Sequence, residues 1–342
     1  MRRIEIDLIK FIAIVSVVMI HVSATAITEL GIVGTWQYDA SVVWRSLCGA
    51  GVPLFLMCSG ALMLRPEKEI TLKKLYLHNV LRLVTAMLFW AFAYKLSRLY
   101  LSGSLNFDGI IRSIKEILLF DQEFHLYYIH IMLLVYFFLP VTRSFVKNAS
   151  EREMRYFLLI WLILGIVYPT VKPFRPFSLI TGFPLQWAIN MTYASIGYGV
   201  LGWYLSSKRP STGLGAALAG VGFAAVFLPT MLVSRANGTL YTSSLEGMSV
   251  AICLYASGIY ILCLNFGGRI RKGRDFVVYM SKSSFCIYLC HIFVLRLIHH
   301  FGGFNLATPI VLIPLLTIAI TAASTAVYWV ISHIPILKKW IV

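Results

Sequence analysis

Asp7-Leu-Ile-Lys-Phe-Ile-Ala-Ile-Val-Ser-Val-Val-Met-Ile-His21 is an apolar run of membrane grade, with an acid and a base near one end and a histidine deep inside. Titratable side chains within a bilayer span are costly, so one that persists there faces a protein interior or a cavity and marks a functional site. Lys10 and His21 are eleven residues apart. At 3.6 residues per turn this is nearly three turns, about 16 Å along one helix face. The spacing predicts a polar stripe from membrane surface to membrane middle. Lys10 would hold an anionic ligand, Asp7 one turn earlier would orient it, and His21 would meet the reacting end of that ligand. The plainer alternatives are a lysine that snorkels to the headgroups and a histidine that bonds a neighbouring span.

The rest of the chain continues in this vein. Its 342 residues are 59% hydrophobic and 13% charged, with a mean hydropathy of +0.79, whereas a soluble domain carries about 25% charged residues. Runs of about 20 apolar residues fall at 6–26, 42–64, 77–100, 126–146, 155–171, 184–205, 212–233, 248–266, 277–299 and 308–332. An all-α polytopic membrane protein of about ten spans, one domain over 1–342, is therefore expected. The N-terminal Arg2-Arg3, apolar run and Ser23-Ala-Thr-Ala26 mimic a secretory signal and are read as a retained first span. Connections that start with the N-terminal one and alternate thereafter hold 19 Lys and Arg, against seven on the other side. The positive-inside rule then puts both termini in the cytoplasm.

The net charge of +16 does not indicate nucleic acid, because the basic residues form short clusters between apolar runs and no basic-aromatic surface is visible. Six cysteines lie in or beside apolar runs, which argues against an extracellular disulfide framework. Cys286, Cys290 and His291 match no usual zinc spacing, so no metal is expected. The outer connection contains an amphipathic stretch at 108–120, suited to the membrane interface and read as a bridge between spans.

Every carboxylate falls at a span end or in a loop, which disfavours a proton- or sodium-coupled transporter with an acid in its core. Histidines and tyrosines are the internal polar groups instead. In the second span, Pro53 can kink the helix and Ser59-Gly60 permits a close backbone approach. The third span opens with Lys73, Lys74, His78 and Arg82. The last two share a face, and Arg82, a turn inside, suits a phosphate or carboxylate partner. The fourth begins Phe124-His125-Leu-Tyr127-Tyr128, and the ninth puts Ser284, Tyr288 and His291 on one face.

Together Lys10 with ten residues before His21, Val52-Pro-Leu-Phe-Leu-Met-Cys-Ser-Gly60, Phe124-His-Leu-Tyr-Tyr128 and Ser283-Ser-Phe-Cys-Ile-Tyr-Leu-Cys-His291 resemble the acyltransferase-3 family of integral membrane O-acyltransferases. Within it, the chain looks most like the stand-alone enzymes that O-acetylate bacterial surface polysaccharides. The resemblance implies a ten-span core in the bacterial inner membrane and acetyl-CoA supplied from the cytoplasm. It also implies an acceptor hydroxyl on the outer side, carried by a glycan or lipid-linked sugar, and His21 as the essential histidine. The CoA phosphates would sit near Lys10, Asp7, His78, Arg82, Lys73 and Lys74. The chain departs from the pattern at Lys10, where arginine is commoner, at His78, where arginine is expected, and at Tyr127, where tryptophan is frequent. His21 would act as general base, with Tyr288, His291, Ser59 or His125 supplying an oxyanion donor. A covalent variant would pass acetyl through His21. The alternatives are a carrier or flippase of a lipid-linked glycan and a non-catalytic scaffold. A homo-oligomer is compatible with this pattern.

Overall fold

A computed structural model describes residues 2–342. Among them helix is the only regular structure, as expected where no water is present to satisfy an open backbone. The order is α1 (Ile4–Leu30), α2 (Trp36–Leu47), α3 (Gly51–Met63), α4 (Leu72–Leu101), α5 (Phe107–Leu118), α6 (Phe124–Phe137), α7 (Leu139–Asn148), α8 (Glu151–Val171), α9 (Met191–Lys208), α10 (Thr212–Asn237), α11 (Val250–Phe266), α12 (Arg274–His300), α13 (Pro309–Ser332) and a short α14 (Pro335–Trp340).

Among the described residues, eight stretches are long and apolar enough to cross a membrane, counting α2 and α3 as one. The α6–α7 pair, bent by 52°, makes a ninth. The remaining expected span corresponds to α9, which is more polar and begins at 191 rather than 184. Residues Phe183–Trp187 instead form a 3₁₀ turn containing Pro184, and the Asn190 side chain accepts from the Thr192 N–H to start the helix. The 42–64 span is broken rather than kinked. The chain unwinds at Cys48-Gly49-Ala50 and resumes with Pro53 in the first turn of α3, where a missing N–H costs nothing.

The first span is the hub, packed by α2, α3, α11, α12 and α13. Crossing of α3 and α9 is backbone to backbone: a Cβ built on Gly60 would lie 1.8 Å from the Gly199 carbonyl oxygen, and one on Gly202 would lie 2.2 Å from that of Met57. Such contact is available only to small residues. Helix α5 is the amphipathic stretch expected from sequence. It buries Ser113 and Ile117 and is tied to α4 by Lys95, whose Nζ is 2.5 Å from Glu116 Oε2.

Candidate active site

Four of the helices that pack around α1 or face it leave a cavity of about 320 Å³ toward the face that carries the N-terminus. Lys10, Ser59, His78, Arg82 and Tyr288 all line it, together with Asn79, Tyr128, Tyr136 and Ser284. Residues from five separate stretches of sequence thus meet at one place. A π-helical turn at Leu75–Val80 carries His78 and Asn79 into the wall; such turns recur at functional sites. Arg82 donates to a main-chain oxygen of Val342 and stacks over Phe285 at 5.5 Å, while its Nε is buried without a partner among the described residues.

Lys10 also lines an adjoining recess of about 290 Å³ with Arg2, Arg3, Asp7 and Arg65. Burial and the neighbouring Arg143, Lys74, Arg65 and Lys10 cations push the Lys68 ammonium below its ordinary range. Positive charge crowded at one mouth attracts and focuses an anion.

Asp7 does not orient Lys10. Its carboxylate accepts from Arg2 at 2.6 and 2.8 Å and from the Ser281 hydroxyl at 2.6 Å, so it fastens α1 to α12. Lys73 and Lys74 lie exposed at the start of α4 and line neither chamber.

His21 lines a second cavity, of about 110 Å³, with Arg45, His125, Tyr127, Tyr128 and Tyr288. The continuous stripe from Lys10 to His21 expected along α1 is therefore interrupted. Tyr128 and Tyr288 belong to the walls of both cavities and stand between them. Tyr288 donates its hydroxyl to the His125 carbonyl, which holds the partition in place.

Three imidazoles converge here. The His21 ring centroid is 5.1 Å from that of His291, which is 5.4 Å from that of His125. His291 is fully buried, and its Nδ1 lies 2.7 and 3.1 Å from the Tyr288 and Ile287 carbonyls. Carbonyls only accept, so Nδ1 carries the proton and Nε2 is left as an acceptor; that nitrogen has no partner. Neither ring nitrogen of His125 makes a well-formed hydrogen bond, yet a neutral imidazole carries one N–H. Ser59 gives its hydroxyl to Phe55 at 3.0 Å. Of the four candidate oxyanion donors, His125 is thus the least firmly committed, its N–H facing only the Leu289 carbonyl in a poorly formed contact.

Two residues of these walls, Arg45 and Tyr128, carry no site role in the sequence pattern. Arg45 counts there only as a charge that sets orientation, although it falls inside the 42–64 apolar run, which is itself the signal. Tyr128 stands in the Phe124–Tyr128 motif without a role of its own, because its place in a partition depends on how α6 meets α12.

A family model described as the acyltransferase domain matches residues 3–331. No curated protein and no solved structure matches the chain.

Proposed function

Because the chain belongs to the acyltransferase-3 family, and so is a multi-pass membrane acyltransferase, we propose that it moves an acetyl group from cytoplasmic acetyl-CoA to a hydroxyl on the outer side. The acceptor in this reading is a surface glycan or lipid-linked sugar, and the membrane is the bacterial inner membrane with both termini cytoplasmic. Lys10 and Arg82 hold the CoA phosphates, with His78 and the cations around Lys68 at the mouth. The pantetheine arm occupies the larger cavity and brings the thioester to the Tyr128–Tyr288 partition.

His21 acts as general base. It takes the proton of the acceptor hydroxyl as that oxygen attacks the thioester carbonyl, and the tetrahedral oxyanion accepts a hydrogen bond from His125. The C–S bond then breaks, and the departing CoA thiolate takes the proton from the His21 imidazolium. Neutral imidazole can fill both the base and the acid role within one cycle.

The observation that carries this reading is the back-to-back pair of cavities, one cationic and one lined by imidazoles, separated by two tyrosine side chains. It also favours transfer over transport, since a chamber of about 110 Å³ is small for the cargo of a glycan carrier. Incubating membranes with radiolabelled acetyl-CoA tests it. Label should appear in a glycan or lipid-linked sugar with wild-type protein and not with His21→Ala, whereas glycan movement without acetyl-CoA consumption would support a carrier.

A further inference from the structure

Arg45 bears the one formal charge among the described residues that line the His21 cavity. Its side chain is half-buried, and Nη1 is shut off from solvent without a hydrogen-bond partner. Three other arginines are matched: Arg98 and Arg296 share the buried Glu123, and Arg235 meets Asp39. No carboxylate lines the cavity. A guanidinium held in such a wall without a counter-ion is a standing cost, and its planar fork fits a carboxylate or a phosphate.

An open recess adjoins it on the side away from Lys10. An open vestibule lined by Phe120, Tyr127, His130, Ile131, Met191 and Thr192 shares Tyr127, Ile131 and Met191 with the His21 cavity. Its rings offer apolar faces to a sugar, and the narrower chamber beyond admits one edge of that sugar.

We propose that Arg45 is an anion subsite for the acyl acceptor: a carboxylate or phosphate on the incoming sugar pairs with its guanidinium while a neighbouring hydroxyl meets His21. The acceptor is then an acidic sugar or a sugar phosphate rather than a neutral glycan. The identity of the occupant rests on the acyl-transfer reading; the anion site itself does not.

The test uses purified full-length protein in detergent, with glucuronate, glucose 1-phosphate and glucose as probes, and reads ligand-induced thermal shift alongside CoA release from acetyl-CoA. Wild type should bind glucuronate or glucose 1-phosphate in preference to glucose, and salt should weaken that preference. Whichever charged probe binds better identifies the carboxylate or the phosphate as the natural anion. R45Q should weaken charged-probe binding about 10- to 100-fold, the scale of a charge-assisted pair. R45K should fall between, and acetyl-CoA binding should be unchanged as a control for folding. Equal binding of charged and neutral probes by wild type overturns the proposal even if R45Q fails to fold. So does an R45Q protein that binds charged probes normally and only turns over more slowly, which would assign Arg45 to the oxyanion instead. Arg45-dependent binding with no acetyl transfer to any probe would uphold the subsite and count against the transferase reading.

Discussion

The rings of Tyr128 and Tyr288 meet edge to face with centroids 5.4 Å apart, and this pair is the wall that the cationic cavity and the imidazole cavity share. In the proposed reaction the thioester therefore has to displace or thread past one of the two side chains. Tyr128→Ala should merge the chambers and let water reach the thioester, so that acceptor-independent CoA release rises several-fold while glycan acetylation falls. Tyr288→Phe should act more gently. It removes the donor to the His125 carbonyl, a loss of about 1–3 kcal/mol when the acceptor stays buried, measurable as a lower melting temperature.

At the cationic mouth, Lys10→Ala should raise the KM for acetyl-CoA by about 10- to 100-fold, the effect of losing one charge-assisted contact, with kcat changed less. Because the Debye length shrinks from about 10 Å at 0.1 M salt to about 3 Å at 1 M, the same KM should rise with ionic strength. Arg82→Ala should add a stability defect, since Arg82 also holds a main-chain oxygen of Val342. Steady-state kinetics and thermal unfolding on the same preparations separate the two effects.

The four oxyanion candidates should separate by their hydrogen bonds. His125→Phe should lower kcat by about 10²–10³, as expected for a lost oxyanion donor, with little effect on KM. Ser59→Ala should leave kcat nearly unchanged, because the Ser59 hydroxyl is committed to Phe55. An equal loss in both variants would mean that the assignment of His125 is wrong.

Membrane-spanning helices and the cast of polar residues were legible because apolar run length and the expense of a buried titratable group are both written locally. Lys10, Ser59, Tyr288 and the His78–Arg82 pair come from four stretches, yet each stands out within its own run. What was not legible depends on tertiary placement. Asp7 looks like a partner for Lys10 one turn away, but Arg2 and Ser281 reach it first. Lys10 and His21 share a helix face, but the partition that separates them comes from α6 and α12. The polar α9 earns its place by packing on α3 rather than by hydropathy.

That packing gives a structural control. Gly60→Val should destabilise the protein by more than the ~1–3 kcal/mol typical of overpacking, because the clash is with the Gly199 backbone, which cannot rotate away. Reduced yield and a lowered melting temperature in detergent would show it, and an unperturbed melting temperature would mean that α3 and α9 are further apart than described.

In the proposed reaction an acetyl group supplied at the Lys10 side reaches an acceptor at the His21 side. Reconstituted proteoliposomes with radiolabelled acetyl-CoA confined to one face and glycan acceptor to the other measure this directly. Label is expected on the acceptor across the bilayer, with a drop of about 10²–10⁴ for His21→Ala, the range of a general base, and acetyl-CoA binding retained. Undiminished labelling by a folded His21→Ala protein would contradict it.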